Sequence, residues 1–195
     1  MNPKTFIFFG PSGSGKGTQA RLLIEELKKY DPQKKVLYLE TGDKLREFAD
    51  ESSATASLVK DALAKGELLP EFLPIWIWTE YFVRHISGSE HLILDGSPRK
   101  LDEAAILDAA IKFYKRETPV VISLEVGREK ATERLLGRGR SDDTEKDIVE
   151  RLSWYEINVR PAINYFRDNP FYKFVSIDGE KEINDVHAEI ISKVM

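Results

Sequence analysis

The stretch Phe6-Ile7-Phe8-Phe9-Gly10-Pro11-Ser12-Gly13-Ser14-Gly15-Lys16-Gly17-Thr18 constrains the fold more than any other part of the chain. An apolar run of strand length ends at a glycine, a glycine-rich turn follows, and a helical pattern begins near Lys16. Gly10, Gly13 and Gly15 have no Cβ, so the backbone can turn tightly and bring its N–H groups close to an anion. The first helical turn adds unpaired N–H donors and the positive end of the helix dipole. Lys16 has the reach to meet the outer phosphates of a nucleoside triphosphate. The spacing Gly10-x-x-x-x-Gly15-Lys16 fits the Walker A pattern, except that the next residue is Gly17 and the hydroxyl is delayed to Thr18.

The rest of the chain alternates strand and helix. Apolar runs predict further strands at 35–40, 91–96, 119–126 and 172–178. The run at 119–126 is almost continuously apolar, as in a strand buried on both faces. Helical spacing predicts helices at 19–30, through Arg46 and Phe48, at 101–115, at 128–136 and at 183–194. Ser52-Ser53 suits the cap of another helix, with Leu58, Val59, Ala62 and Leu63 on one face and Lys65-Gly66 as its stop. The aromatic segment 75–82 alternates like a strand, but its length and Pro74 in a first turn favour a helix packed in the core. Gly137-Arg138-Gly139-Arg140 reads as a Gly-flanked loop, and 142–167 as one long helix interrupted or kinked at Pro161. Such alternation predicts a five-stranded parallel sheet with helices on both faces, and in such sheets ligands sit at the carboxyl ends of the strands.

Composition narrows the function classes. A chain of 195 residues with 42% hydrophobic content suits one domain with a full core. A net charge of -4 argues against a broad nucleic-acid footprint but not against a single nucleotide. The chain has no cysteine, which excludes disulfides and any Cys-ligated zinc site. The first apolar run is too short for a secretory signal, and no segment approaches ~20 apolar residues, so a cytoplasmic protein without a membrane span is expected.

Asp95 ends an apolar strand, the Walker B arrangement, and is placed to orient Mg²⁺ or its waters. Arg46, Arg99, Arg138, Arg140 and Arg151 each fall at a loop or helix edge beside one of these motifs. A phosphoryl group in transfer spreads charge over its oxygens, and guanidinium forks meet that charge bidentately. Asp142 and Asp143 are placed to steer the arginines or to cap the following helix. His85, His91 and His187 fall in no catalytic pattern. A hydroxyl acceptor would want a base, whereas a phosphate acceptor is already an anion, so the missing base favours a phosphate acceptor.

These residues carry a resemblance. Gly10 to Gln19, with its late hydroxyl, resembles the phosphate loop of adenylate kinase and its nucleoside monophosphate kinase relatives. Glu40-Thr41-Gly42-Asp43-Lys44-Leu45-Arg46 resembles that family's monophosphate-binding segment, and Lys65-Gly66-Glu67-Leu68-Leu69-Pro70 its next base-side segment. Asp95-Gly96-Ser97-Pro98-Arg99 resembles its Asp-Gly-aromatic-Pro-Arg signature, and Arg140-Ser141-Asp142-Asp143 with Arg151 its lid-side arginines.

The resemblance implies a P-loop NTPase fold with a core of 1–40, 71–136 and 142–195, a monophosphate-binding insertion at about 41–70 and a short lid at 137–141. It implies an ATP site at Gly13, Ser14, Gly15, Lys16, Gly17, Thr18, Arg138, Gly179 and Lys181. A monophosphate site is implied at Thr41, Gly42, Arg46, Glu67, Leu68, Leu69, Gly96, Arg99, Glu103, Arg140 and Arg151. Lys16, Arg99, Arg138, Arg140 and Arg151 would be catalytic, Asp95 and Thr18 would hold Mg²⁺ through water, and the chain would be a monomer acting on ATP and AMP. Three departures bear on this. Only Gly139 separates Arg138 from Arg140, so the lid is minimal. Ser97 replaces the usual aromatic, and Glu103 stands where a glutamine that reads adenine is usual. A carboxylate only accepts, which suits adenine N6 but not N1, and suits the N–H donors of guanine. Kinases for GMP, UMP or CMP, a P-loop kinase of small metabolites and a nucleotide-binding regulatory protein are the competing readings. A GTPase switch is disfavoured, because no Asn-Lys-x-Asp motif is present.

Overall fold

The computed structural model of the chain describes residues 2–139 and 143–195. Five strands form one all-parallel sheet in the order β2-β3-β1-β4-β5: β1 (Thr5–Phe9), β2 (Val36–Glu40), β3 (His91–Asp95), β4 (Val120–Glu125) and β5 (Lys173–Asp178). The period of two along β1 divides the core. Phe6 and Phe8 join Leu23 and Leu27 of α1 (Lys16–Tyr30) and Ile190 of α9 (Ile183–Val194) on one face. Ile7 and Phe9 join Trp78 and Phe82 of α4 (Phe72–His85), Leu107 of α5 (Leu101–Phe113) and Phe166 of α8 (Arg160–Arg167) on the other. With both faces covered, β1 and β3 are buried along their whole length, and β4 is buried but for Glu125.

Two smaller units flank the carboxyl end of the sheet. α2 (Thr41–Ala49) and α3 (Ala54–Ala64) pack Leu45, Ala49 and Val59 against Leu69, Leu73 and Ile77. Ser53 caps α3 by accepting from the amide of Ala56 at 3.0 Å, and Gly66 (φ +68°) turns the chain out of it. α6 (Arg128–Arg138) and α7 (Glu145–Trp154) share a cluster of Ala131, Leu135, Ile148 and Leu152.

Three details differ from the expectations. Leu58 is 70% exposed, because Val59 alone of that pair faces the insertion core. Helix α6 runs through Gly137 to Arg138 and stops at Gly139 (φ +67°), so two residues of the expected loop are helical. The long C-terminal helix starts at Glu145 behind a Thr144 cap and is broken by a π turn, Tyr155–Val159, before α8. The break lies just ahead of Pro161, which has no N–H for the helical ladder, and the Arg160 amide bonds back to the carbonyl of Tyr155. His91 is fully buried, with Nδ1 accepting from the Lys4 amide at 3.0 Å. Among the described residues no helix is long and apolar enough to cross a membrane.

Candidate active site

A cleft of about 530 Å³ opens at the carboxyl end of β1 and β3, between the two flanking units. The phosphate loop forms its floor. Gly15 adopts φ +89°, a conformation an L side chain rarely takes. Gly13 (φ +82°) is pressed against α6, where a Cβ would stand 2.5 Å from the carbonyl oxygen of Ala131. The loop therefore fixes the distance to the helix that carries Arg134 and Arg138. Lys16 donates from Nζ to the carbonyls of Gly10 (2.8 Å) and Pro11 (3.0 Å). Burial pulls its pKa down to about 8; Asp95 opposes the shift, while Arg99 and Arg138 add to it.

Two carboxylates stand side by side. Asp95 ends β3 and Glu40 ends β2, paired in register. The Tyr38 hydroxyl lies 3.0 Å from Glu40 Oε2 and 3.2 Å from Asp95 Oδ2. Burial raises the pKa of both acids above the usual carboxylate range, and each adds to the shift of its partner or of Tyr38.

The arginines converge from three elements. Arg46 comes from α2 and pairs with Asp43 and with Glu40. Arg99 follows β3, and its Nε donates to the carbonyl of Gly96 at 2.8 Å. A Cβ on Gly42 would stand 3.4 Å from Arg46 Nη1 and 3.6 Å from Arg99 Nη2, so both guanidiniums close on that turn. Across the cleft Asp143 gathers two more. Its carboxylate accepts from Nε and Nη2 of Arg138, both at 2.8 Å, and from Nη2 of Arg151 at 2.6 Å. Burial alone would raise Asp143, but the hydrogen bonds from Arg138 and Arg151 outweigh it and hold the carboxyl below its usual range.

All nine residues expected at the ATP site line this cleft, with Asp95 and with Gly42, Arg46, Glu67, Gly96, Arg99 and Arg151. Thr41, Leu68, Leu69 and Glu103 are not among its lining residues. Leu69 belongs to the insertion core, and the Thr41 hydroxyl is buried without a hydrogen-bond partner. Glu103 is 1% exposed and accepts from the Arg99 amide at 2.9 Å, so it braces the arginine turn rather than facing water. Burial raises its pKa. Arg140 and Asp142 lie outside the described residues.

Arg134, Glu40 and Trp154 also line the cleft, and the sequence pattern assigns them no role. Arg134 lies one helical turn before Arg138 and donates to the carbonyls of Gly179 (2.8 Å) and Glu180 (3.3 Å). Its spacing from Arg138 was the available signal. Glu40 is recognised only once β2 and β3 are neighbours. Trp154 reaches the cleft from the end of α7.

The arrangement suits anions and charge in motion between them; among the lining residues there is no histidine. Comparison with known proteins agrees. The family model described as adenylate kinase matches residues 8–170. The chain is 32% identical over 191 residues to an adenylate kinase of Prochlorococcus marinus, covering 98% of each chain. It is 35% identical over 187 residues to adenylate kinase 1 of a Synechocystis species, covering 96% of this chain and 95% of the relative. It is 33% identical over 184 residues to adenylate kinase 1 of a Nostoc species, covering 94% and 95%. A phosphate loop, a converging set of arginines and similarity along nearly the whole chain lead to one conclusion: the chain belongs to the adenylate kinase family, and it is a phosphotransferase that acts on nucleotides.

Proposed function

We propose that the chain moves the γ-phosphoryl group of ATP to AMP, reversibly, giving two molecules of ADP. The observation that carries this reading is the meeting of Lys16, Arg46, Arg99, Arg138 and Arg151 in one cleft without a histidine base among them. An acceptor phosphate brings its own negative oxygen, so the protein has only to position two anions in line and offset their charge.

In this reading Lys16 and the backbone of 13–18 hold the donor phosphates, with Gly179, Lys181 and Arg134 beside the donor nucleoside. Arg46 and Arg99 hold the acceptor phosphate between the α2–α3 insertion and the end of β3. Arg138 and Arg151, aligned by Asp143, face the group in transit, and the family resemblance assigns Arg140 the same task. The residues near Lys16 suit Mg²⁺. Asp95, with Thr18 near it, offers hard oxygen donors, and Mg²⁺ is usually held by one or two carboxylates, water and substrate phosphates rather than a protein cage. When bound, the ion offsets charge on the donor phosphate oxygens. The adenylate kinase names of the relatives support AMP as the acceptor. The hold of Glu103 on the Arg99 amide supports a bracing role for it, which leaves the Gln-to-Glu change compatible with an adenine acceptor. Thr41 stands at the start of α2, on the acceptor side. The reading further takes the chain as a cytoplasmic monomer with a core, an insertion at about 41–70 and a short lid at 137–141.

The test is a coupled assay of ADP release from ATP and Mg²⁺ with AMP, GMP, UMP, CMP or dAMP as acceptor. AMP is expected to give the highest kcat/KM. Turnover of GMP alone would replace AMP with GMP, and no turnover of any acceptor would favour a regulatory protein. Glu103→Gln is expected to leave the AMP-to-GMP ratio unchanged; a changed ratio would make Glu103 a reader of the base.

A further inference from the structure

Trp154 ends α7 where the lid-side helix meets the acceptor side of the cleft. Its indole Nε1–H donates to the carbonyl of Gly66 at 3.0 Å. Gly66 is the left-handed turn after α3, so this bond joins α7 to the insertion 88 residues away in sequence. The two elements touch here: a Cβ on Gly66 would stand 3.3 Å from the Cβ of Asp147. The same indole faces Arg99, whose Cζ lies 5.8 Å from the ring centroid, within cation–π range. The other bonds that orient Arg99 are its Nε to the carbonyl of Gly96 and its amide to Glu103.

We propose that Trp154 is a positioning residue that presets the acceptor subsite: its N–H latches the α2–α3 insertion to α7, and its ring steadies Arg99. The proposal rests on the reading of Arg99 as an acceptor-phosphate arginine.

Two variants separate the two contacts. Trp154→Phe keeps an aromatic face and removes the donor; Trp154→Leu removes both. Hydrogen exchange on the unliganded proteins reads the latch directly, because the turn holds its own amides at Gly66 (to Leu63, 3.1 Å) and Glu67 (to Ala62, 3.0 Å). Losing one neutral hydrogen bond is expected to speed exchange across 62–69 about three- to tenfold in Trp154→Phe, with α1 unchanged. In steady-state kinetics Trp154→Phe is expected to raise KM for AMP by a similar factor, with KM for ATP and kcat within about twofold. Trp154→Leu is expected to lower kcat about tenfold as well, from loss of the face that steadies Arg99. Unchanged exchange at 62–69, a rise spread over the whole sheet, or equal increases in both KM values would overturn the proposal. If the wild-type protein turned over no AMP, the AMP reading would fall, while exchange at 62–69 would still decide the latch.

Discussion

Asp143 accepts from both of the arginines proposed to face the transferring group. Asp143→Ala removes an acceptor of three charge-assisted hydrogen bonds, two from Arg138 and one from Arg151. Each such bond contributes about 1.5–3 kcal/mol when its partner stays dry. Arg138 is not dry: its side chain is 34% exposed, and water will satisfy much of what it loses. A net destabilisation of about 2–3 kcal/mol is the reasonable sum, or a fall in Tm of about 5–10 °C for a chain of this size. The catalytic effect should be larger in proportion. Without the carboxylate, two like charges that shared one anchor repel, and a displacement of about 1 Å in a positioning group costs about 10²-fold in rate. The assay is kcat and KM for ATP and AMP at a temperature well below the lowered Tm. A fall in kcat of about 10²-fold with KM values changed less than about threefold is expected, since the arginines act mainly on the group in transit. The acid limb of stability supplies a second measure. A carboxyl held below its unfolded pKa of about 3.9 contributes stability above that pH and loses it as pH falls through the lower folded value. Asp143→Ala should therefore flatten the loss of Tm between about pH 4 and pH 2. A variant with kcat within about threefold of wild type would refute the reasoning, because the arginines would then hold their places without Asp143.

Three further outcomes are expected. Lys16→Met should lower kcat by about 10²-fold or more, and wild-type kcat/KM for ATP should fall above about pH 8 as the free enzyme's Lys16 loses its proton; a flat pH profile to pH 9 would contradict the lowered pKa. Gly13→Ala should cost more than about 3 kcal/mol in urea unfolding, since its Cβ meets the Ala131 carbonyl at 2.5 Å, whereas Gly15→Ala should cost only the about 1–2 kcal/mol of its positive φ, with nothing within 4 Å; equal losses would mean that the loop and α6 are not in contact. His91 is held neutral by burial, with Asp31 opposing and Lys34, Arg116 and Lys4 adding, so its folded pKa lies below the unfolded value and stability should fall as pH drops below about 6.5; a Tm independent of pH from 7 to 5, or a fall retained in His91→Gln, would exclude it as the cause.

What was legible in the sequence was what local chemistry fixes. The phosphate loop needs glycine where φ is positive, and that need is written at Gly13 and Gly15. β3 announces itself as His91-Leu92-Ile93-Leu94 and places Asp95 at the strand end, whichever strands lie beside it. The details that the sequence leaves open each depend on a neighbour that the local pattern does not reveal. Two glycines flank Arg138, and either would stop a helix; the packing of Leu135 on Ile148 and Leu152 carries α6 past the first to the second. Leu58 and Val59 are equally apolar, and the phase of α3 against Leu45 and Leu73 chooses between them. Glu103 is four residues from Arg99, close enough for either a base or a backbone amide to claim it, and the turn through Pro98 delivers the amide. Glu40 and Trp154 depend on strand order and on a contact across 88 residues, and neither follows from local spacing.

The late hydroxyl at Thr18 now has a physical setting. Position 17 does not require glycine for its own sake: its φ is outside the left-handed range and an added Cβ would make only ordinary contacts, 3.4 Å from Asp95 Oδ2 and 3.9 Å from Glu40 Oε2 and the Tyr38 hydroxyl. What glycine does there is leave the carboxylate pair uncovered on the side that faces the loop. A serine or threonine at 17 would carry a hydroxyl beyond that Cβ and donate it to a carboxylate that Tyr38 already serves. Lys16, Arg21 and Arg46 balance the pair only in part: Lys16 is turned onto loop carbonyls, Arg21 reaches Glu40 at 3.4 Å and Arg46 at 3.7 Å. The chain instead carries its hydroxyl one place along α1, at Thr18. There it lines the same cleft. The departure from the Walker pattern at Gly17 and the second acid at Glu40 therefore meet at one place in the cleft, where α1 passes the ends of β2 and β3.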